Sequence, residues 1–365
     1  MNRTYRVVYN QSTGTYVAVA EFAKSHSKSN SKKALVTTLV TAVGLLGLSA
    51  PSYAAVTLDG GVNNGDNRSI VIGGGAEVGK GTGQSIAIGN SAVTTGDQAT
   101  ALGNNVKASG NSSVAIGGDD IDKVVDSSGD KYFQLTGGKI YKGSDTANGG
   151  KYISTESGGA ASVALGVQTL SKGDFSTAIG MTANSYGDGA VAIGARAMAE
   201  LQGATAIGTA SQAAAKQAVA IGVNSTALGM NATALGSGGT SRATATQATK
   251  EGSVAIGGDS VAGAKSTGKN AIAIGGQSVA SVDNAVAIGA GSKSTHGNSV
   301  ALGVNSVADG ANIGNAAYRP LDANGNPVAV AGTATGEVSI GKAGSERRIT
   351  NMAAGSADTD GVNVS

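Results

Sequence analysis

A four-residue phrase recurs through this chain on a fixed spacing. It consists of Val, Ile or Thr, then a small residue, usually alanine, then Ile or Leu, then glycine. Between residues 163 and 236 its glycines lie fourteen residues apart five times in succession, in Val163–Gly166, Thr177–Gly180, Val191–Gly194, Thr205–Gly208, Val219–Gly222 and Thr233–Gly236. Nine further copies precede and follow this run. A fixed period of this kind indicates a repeat architecture, in which each repeat packs against its neighbours.

Each repeat contains the pattern of two short strands. In the phrase, bulky apolar residues alternate with alanine, which is the period of a β-strand with one bulky and one small face. The third and fifth residues after the phrase glycine are small and the residue between them varies, which predicts a second strand with a small inward face. These small pairs are Ala183 and Ser185, Ala197 and Ala199, Ser211 and Ala213, Ser278 and Ala280, Ser292 and Ser294, and Ser306 and Ala308. Which face of the first strand fills the interior stays open.

Two details refine this assignment of residues to strands and turns within each repeat. Thr226–Gly229 repeats the phrase only seven residues after Gly222, and it falls in the second-strand position of its repeat. A glycine often stands at the seventh place after the phrase glycine, where we expect a turn with positive φ. Examples are Gly110, Gly173, Gly187 and Gly310.

Fourteen residues with two strands and two tight turns form one coil of a flattened parallel β-roll, with coils about 4.8 Å apart. The composition agrees, because a chain with 59 glycines, 3 % aromatic residues and no tryptophan cannot build a thick core. A thin roll leaves an apolar face uncovered, so identical rods should pack side by side. We therefore expect an all-β fold that associates.

Residues 1–54 are predicted to be an extended signal peptide that is removed. Four lysines precede an apolar run at 34–50, and the small residues that follow predict cleavage between Ala54 and Ala55. A membrane anchor is the alternative, but the run is short for a span. Residues 1–54 hold six of the 26 basic and one of the 24 acidic residues, so the remainder has a net charge of about −3. Nucleic-acid binding thereby loses its compositional support.

Two resemblances connect these features to known proteins. Residues 1–10 and 13–21 resemble the extended signal peptide region of Gram-negative autotransporters, which implies export by the Sec translocon and the outer-membrane assembly machinery. The repeats, with 111–117 and 297–303 as good examples, resemble the head of YadA-like trimeric autotransporter adhesins. The resemblance implies a left-handed parallel β-roll in each chain and a homotrimer on the bacterial surface.

Interruptions of the period divide the mature chain. Head repeats are predicted at 55–117 and 162–311, with insertions at 118–161 and 312–336. The first insertion contains four of the seven aromatic residues of the mature chain, Tyr132, Phe133, Tyr141 and Tyr152. Tyr132–Leu135 and Lys139–Tyr141 predict a β-hairpin. It is either a binding loop with aromatic anchors or a hairpin whose aromatic side chains pack onto the rod. Four nearby aspartates are compatible with calcium, although their spacing matches no loop motif that we can defend.

Residues 337–365 contain the last phrase and a segment that resembles the neck joining head to stalk in this family. In that neck, segments cross between chains, which implies interchain contacts by Arg347, Arg348, Asp358 and Asp360. The sequence continues into neither a heptad stalk nor a membrane anchor, so we expect it to be truncated relative to a complete adhesin.

The expected function is adhesion without catalysis. His296 is the only histidine after residue 54 and the chain has no cysteine, so neither a nucleophile and base pair nor a histidine metal site can be assembled within one chain, and we expect no cofactor. The resemblance implies attachment to host cells or to matrix proteins such as collagen, fibronectin or laminin, and cell-to-cell aggregation. The alternative is a structural surface rod with no specific ligand.

Overall fold

The computed structural model describes residues 5–10, 15–20, 55–145, 152–314, 319, 321–328, 332–357 and 360–361. It divides into two units, Met1–Ser52 and Tyr53–Ser365. In the first unit, β1 (Tyr5–Asn10) and β2 (Thr15–Ala20) pair as antiparallel strands. Ala54 lies outside the described residues, so cleavage before Ala55 stays a prediction. Over the described ranges, no helix has the length and apolar character needed to cross a membrane.

The second unit is a stack of coils with two parallel sheets. The first sheet is formed by the phrases, in β3 (Val56–Leu58), β5 (Ile70–Ile72), β7 (Ile86–Ile88), β9 (Thr100–Gly103), β11 (Val114–Gly118), β13 (Val163–Val167), β15 (Thr177–Ile179), β17 (Val191–Ile193), β19 (Thr205–Ile207), β21 (Val219–Ile221), β23 (Thr233–Leu235), β25 (Val254–Ile256), β27 (Ile272–Ile274), β29 (Val286–Ile288), β31 (Val300–Leu302) and β33 (Val338–Ser339). The chain alternates between the two sheets once per coil.

The second sheet runs along the other side of the stack. Its strands are β4 (Val62–Asn63), β6 (Glu77–Val78), β8 (Val93–Thr94), β10 (Lys107–Ala108), β12 (Glu156–Ser157), β14 (Leu170–Ser171), β16 (Asn184–Ser185), β18 (Met198–Ala199), β20 (Gln212–Ala213), β22 (Thr226–Ala227), β24 (Gln247–Ala248), β26 (Lys265–Ser266), β28 (Val279–Ala280), β30 (Lys293–Ser294) and β32 (Val307–Ala308). In both sheets every strand pairs with the strand one coil away, which is the predicted parallel roll.

Strand register places alanine in the interior of the roll. Ala192 pairs with Ala206 in the next coil, and both are fully buried. The flanking Val191 and Ile193 are only half-buried and point outward. This arrangement resolves the question that the sequence left open: the small face fills the roll and the bulky face is its outer surface.

The second sheet has the predicted small inward face. All six predicted pairs of small residues are fully buried. Strand β22 lies between β20 and β24, so Thr226–Gly229 occupies the second-strand position as predicted. Buried serine hydroxyls have partners inside the roll. The Ser171 and Ser176 hydroxyls lie 2.7 Å apart, and Ser185 Oγ donates to the carbonyl of Ala190 at 2.9 Å. These bonds remove the cost of burying a hydroxyl.

The sequence pattern missed the first coil. Val56–Leu58 pairs in register with Ile70–Ile72, so the first sheet has sixteen described strands although the phrase has fifteen copies. This coil has Asp59 in place of the phrase glycine, with φ 54°. Most phrase glycines of the later coils have φ between 103° and 139°, so the turn at Asp59 differs from theirs, and an aspartate can adopt its left-handed conformation.

The expectation of positive φ at the seventh-place glycine is wrong for Gly110, Gly173 and Gly187, and among the four examples only Gly310 adopts it, with φ 76°. At the other three, a Cβ would lie 1.8 to 2.2 Å from backbone atoms of the next coil. Glycine is therefore needed for the close approach of stacked coils. The left-handed residue comes two positions later, for example at Gly189 with φ 62°.

The predicted β-hairpin at 132–141 is also wrong. Residues Asp122–Thr136 form a helix, α1, which ends at Gly137 in the left-handed conformation, with its N–H donating to the carbonyl of Phe133 at 2.8 Å. Ile121, Tyr132 and Thr136 are buried at helical spacing along one side. That buried stripe favours a helix over the alternation from which the hairpin was predicted, and Gly137 is a helix cap rather than a hairpin turn.

Candidate functional site

The outward side of the first sheet is a continuous apolar surface, which we call the apolar ribbon. It has two columns of side chains, one residue of each column per coil. The first column is Val56, Ile70, Ile86, Thr100, Val114, Val163, Thr177, Val191, Thr205, Val219, Thr233, Val254, Ile272, Val286, Val300 and Val338. The second column is Leu58, Ile72, Ile88, Leu102, Ile116, Leu165, Ile179, Ile193, Ile207, Ile221, Leu235, Ile256, Ile274, Ile288, Leu302 and Ile340. Side chains such as Leu102 and Leu302 are more than 40 % exposed.

Helix α1 lies on an edge of the rod and is fixed there by its C-terminal half. The hydroxyls of Tyr132 and Thr182 lie 2.5 Å apart, and Arg196 Nη1 donates to the carbonyl of Thr136 at 2.7 Å. Thr182 and Arg196 occupy the same left-handed turn position in successive coils, with φ 56° and 58°. The helix therefore docks on two adjacent coils of the rod.

Carboxylates hold the rest of this insertion together. Asp122 accepts hydrogen bonds from the Tyr152 hydroxyl at 3.0 Å and from the Gly143 N–H at 2.9 Å. Asp126 forms an ion pair with Lys142 at 2.5 Å. In the described part of the chain, no cluster of three or more His, Cys, Asp or Glu side chains could hold a metal ion. The aspartates of the insertion thus have structural partners, and the structure adds no support for calcium.

The four aromatic residues lie in different environments. Tyr132 is buried against the rod, Tyr141 is half-buried, and Phe133 and Tyr152 are 47 % and 46 % exposed. Phe133 borders a groove of about 870 Å³ between α1 and Lys139–Ile140. Tyr132 therefore packs onto the rod and anchors the helix, whereas ligand binding by the exposed Phe133 stays a prediction.

A further, shorter insertion, between β23 and β24, reaches the same edge. Arg242 donates from Nη1 to Gln212 Oε1 at 2.6 Å and from Nη2 to the carbonyl of Ala210 at 2.8 Å. Burial, followed by the positive charge of Arg196, lowers the pKa of the Arg242 guanidinium. Ala210 is one coil beyond Arg196 at the same turn position. Helix α1 and the insertion between β23 and β24 thus cover neighbouring coils along one edge.

Sequence analysis missed Thr182, Arg196 and Arg242 as anchoring residues. One available signal was Arg196 itself, because the second place after the phrase glycine is otherwise a small, amide or glycine residue in most coils. A long cationic side chain at such a place indicates that something covers the turn.

Ionisation of Tyr132 should release α1 from the rod. Burial raises the pKa of the Tyr132 hydroxyl, opposed by its hydrogen bond to Thr182 and by the charge of Arg196. The neutral hydroxyl therefore supports docking fully below about pH 10, the ordinary pKa of tyrosine, and this support is lost as the pH rises through the higher folded-state pKa. We expect the helical circular-dichroism signal of α1 to fall as the pH rises above about 10. In Tyr132→Phe the alkaline fall should be reduced, and an identical fall in both proteins would contradict this role.

Of the four predicted neck residues, Arg347 and Asp360 have hydrogen-bond partners in their own chain. Arg347 donates to Ser306 Oγ at 2.8 Å and to the carbonyls of Ile340 and Val304. Asp360 accepts hydrogen bonds from the Ser356 and Ala357 N–H groups, and these bonds lower its pKa. Arg348 is exposed, and Asp358 lies outside the described residues. Contacts of these four residues between chains stay a prediction.

Comparison with known families identifies both parts of the chain. Residues 1–50 match the family described as the extended signal peptide of the type V secretion system. Matches to the YadA head domain repeat cover 83–105, 157–183, 171–197, 185–211, 202–224, 213–238, 241–265, 266–292 and 297–312. The chain belongs to the YadA-like trimeric autotransporter adhesins. This YadA-like chain therefore has the leader and the head repeats of secreted proteins on the surface of Gram-negative bacteria.

Two individual proteins are similar to parts of this chain. The YadA-like chain is 38 % identical over 122 residues to the autotransporter adhesin EhaG of Escherichia coli O157:H7, a stretch that covers 32 % of this chain and 7 % of EhaG. The chain is also similar to the crystal structure of the collagen-binding domain of the Yersinia adhesin YadA, with 32 % sequence identity and a TM-score of 0.35. The matched region covers 49 % of this chain and 80 % of that one. Family and fold are those of a structural or binding protein rather than an enzyme.

Proposed function

We propose that this chain is the head of a homotrimeric surface adhesin, in which each protomer winds as a left-handed roll and the three apolar ribbons meet about a threefold axis. The observation that carries the proposal is the ribbon itself. It runs the length of the roll with an aliphatic or threonine side chain at both columns of every coil. An apolar face of this size on one rod is stabilised when an identical rod covers it.

The ribbon is large enough for a stable interface. The sixteen strands of the first sheet are separated by fifteen intervals of about 4.8 Å, which gives a length of about 72 Å, and a three-residue strand is about 10 Å long. The resulting face of about 720 Å² per protomer is close to the roughly 800 Å² that each partner buries in a standard protein interface. The second sheet, with Asn184, Gln212 and Lys293 on its outer face, would remain in contact with solvent.

We propose that matrix collagen is a ligand of this head and that α1 contributes to its binding. The similar YadA domain is a collagen-binding domain, and its sequence shares 32 % identity with this chain. Helix α1 is held on the rod by Tyr132 and leaves Phe133 and Leu135 about half-exposed, and Phe133 also borders the groove. Aromatic residues with such exposure are frequent anchors at interfaces. Trimerisation and many copies on one cell would add avidity to weak individual contacts.

We expect the mature head to bind immobilised collagen, and Phe133→Ala with Leu135→Ala to weaken that binding by about tenfold, since one buried anchor is worth about 1 to 2 kcal/mol. Binding of a concentration series to immobilised collagen, fibronectin and laminin measures the effect. The matched control is Phe175→Ala, because Phe175 is a 70 % exposed aromatic residue at a turn of the rod. An equal loss in the control would contradict a role for α1.

A structural rod without a specific ligand is the competing proposal. It is favoured by the regularity of the outer second sheet, on which no described position stands out as a site. Absence of binding to all three matrix proteins by a folded trimer would support it. Cell-to-cell aggregation is a further proposed activity, and it would appear as settling of bacteria that express the complete surface protein.

A further inference from the structure

The first column of the apolar ribbon alternates between two kinds of residue in its uninterrupted central part. From Val163 onward it reads valine, threonine, valine, threonine, valine, threonine, with threonine at Thr177, Thr205 and Thr233. Valine and threonine both branch at Cβ and have similar shape. The alternation therefore keeps the width of the ribbon constant and changes its polarity from one coil to the next.

These threonine hydroxyls have no hydrogen-bond partner within the described residues, although the side chains are half-buried among aliphatic neighbours. Threonines on the inward side behave differently. Thr169 Oγ1 donates to the carbonyl of Gly180 at 2.6 Å, and Thr246 Oγ1 donates to that of Gly257 at 2.8 Å. Because the described residues offer these outward hydroxyls no partner, we look for a protein partner in another chain.

We infer that the partner is the same threonine of two other copies, in a closed ring of three hydroxyls at the threefold axis. Each hydroxyl donates one hydrogen bond and accepts another, so a ring of three satisfies every member. The inference rests on the proposed trimer. The first column is β-branched in every coil, which gives a uniform line of contact near an axis, whereas the second column is always Ile or Leu and contains no hydroxyl.

The rings would make assembly selective for an identical chain in the correct register. Coils of one roll are nearly the same in backbone, so sliding one protomer by one coil preserves the fit of shapes. The slide would place each of Thr177, Thr205 and Thr233 against valine and leave hydroxyls unpaired in an apolar contact, which is unfavourable. The alternation thus distinguishes the correct register from its nearest competitor.

A mixing experiment tests this selectivity. Unlabelled mature protein and a ¹⁵N-labelled ribbon variant with Thr177→Val, Thr205→Val and Thr233→Val are unfolded, mixed in equal amounts and refolded, and native mass spectrometry counts the mixed trimers. Every mixed layer leaves at least one hydroxyl incompletely paired. We expect mixed trimers to fall about tenfold below random mixing, because three layers are affected. The control variant carries Thr95→Val, Thr249→Val and Thr295→Val, at the end of the second strand, and should mix at random.

The outcomes separate the inference from the proposal on which it depends. Random mixing of the ribbon variant with the unsubstituted chain, while both are trimeric, would overturn the threonine rings and leave the trimer intact. An unsubstituted protein that refolds as a monomer would overturn both. Sorting that is equally strong in the control variant would also overturn the rings, since those threonines lie away from the ribbon.

Discussion

Replacing Gly187 by alanine should destabilise the head more than any other single methyl group added to a turn of this coil. A Cβ at Gly187 would lie 2.1 Å from the carbonyl carbon of Leu201, in the backbone of the next coil. Backbone cannot move aside without separating the coils, so we expect a loss of about 3 kcal/mol in the free energy of unfolding. Urea unfolding, together with amide hydrogen exchange in β17 and β19, measures it.

Gly189 provides the matched control in the same turn. Its φ is +62°, but a Cβ there would meet nothing within 4 Å. Gly189→Ala therefore adds only the cost of a left-handed alanine, about 1 kcal/mol. Phe175 already adopts the equivalent conformation in the preceding coil. Equal destabilisation by the two substitutions would contradict the assignment of Gly187 to coil stacking.

Three aspartates in the apolar ribbon should prevent assembly. The triple variant carries Ile193→Asp, Ile207→Asp and Ile221→Asp. Each protomer would then bring three carboxylates into an apolar interface, and burying each carboxylate costs about 3 kcal/mol or more. The side chains point outward in the single roll, so each chain should still fold. We expect sedimentation equilibrium to show monomers at micromolar concentration and circular dichroism to show an intact β-roll.

The control places three aspartates on the outer second sheet and, because Lys293 is replaced, lowers the net charge by one more unit per chain than the ribbon variant does. Asn184→Asp, Val279→Asp and Lys293→Asp alter outward residues of the other face and should leave the trimer unchanged. If the ribbon variant assembled as tightly as the unsubstituted protein, the ribbon would not be the interface. If the control dissociated as well, the interface would include the second sheet.

The repeat architecture could be predicted because its causes are local and repeated. The fourteen-residue period, the small inward pairs and the displaced copy at Thr226–Gly229 all follow from which residues fit between two closely spaced sheets. The choice between the two faces of the first strand could not be predicted. Both faces are apolar, and only the close approach of the sheets decides that alanine, as at Ala206, lies inside and Ile207 outside.

The insertion was less predictable because its fold depends on contacts with distant coils. Tyr132 and Phe133 together with Gly137 are compatible with a hairpin or with the last turn of a helix. The helix is selected when Tyr132 reaches Thr182, 50 residues away in the sequence, and Thr136 reaches Arg196, 60 residues away. The spacing of the apolar residues Ile121, Val125 and Tyr132 would have indicated the helix before the contacts were known.

The glycines illustrate a similar limit. The sequence marks Gly173 and Gly187 as required, but positive φ and close packing are different reasons for the same residue. The structure separates them, because Gly187 faces the backbone of the next coil and Gly189 has the left-handed conformation.

The mass of the mature head in solution tests the central claim most directly, because a lone roll leaves its ribbon exposed. Residues 55–365, purified and analysed by multi-angle light scattering across a range of concentrations, should have the mass of three chains. A constant mass of one chain in a correctly folded sample would contradict the proposed trimer, since the ribbon would then remain uncovered in water.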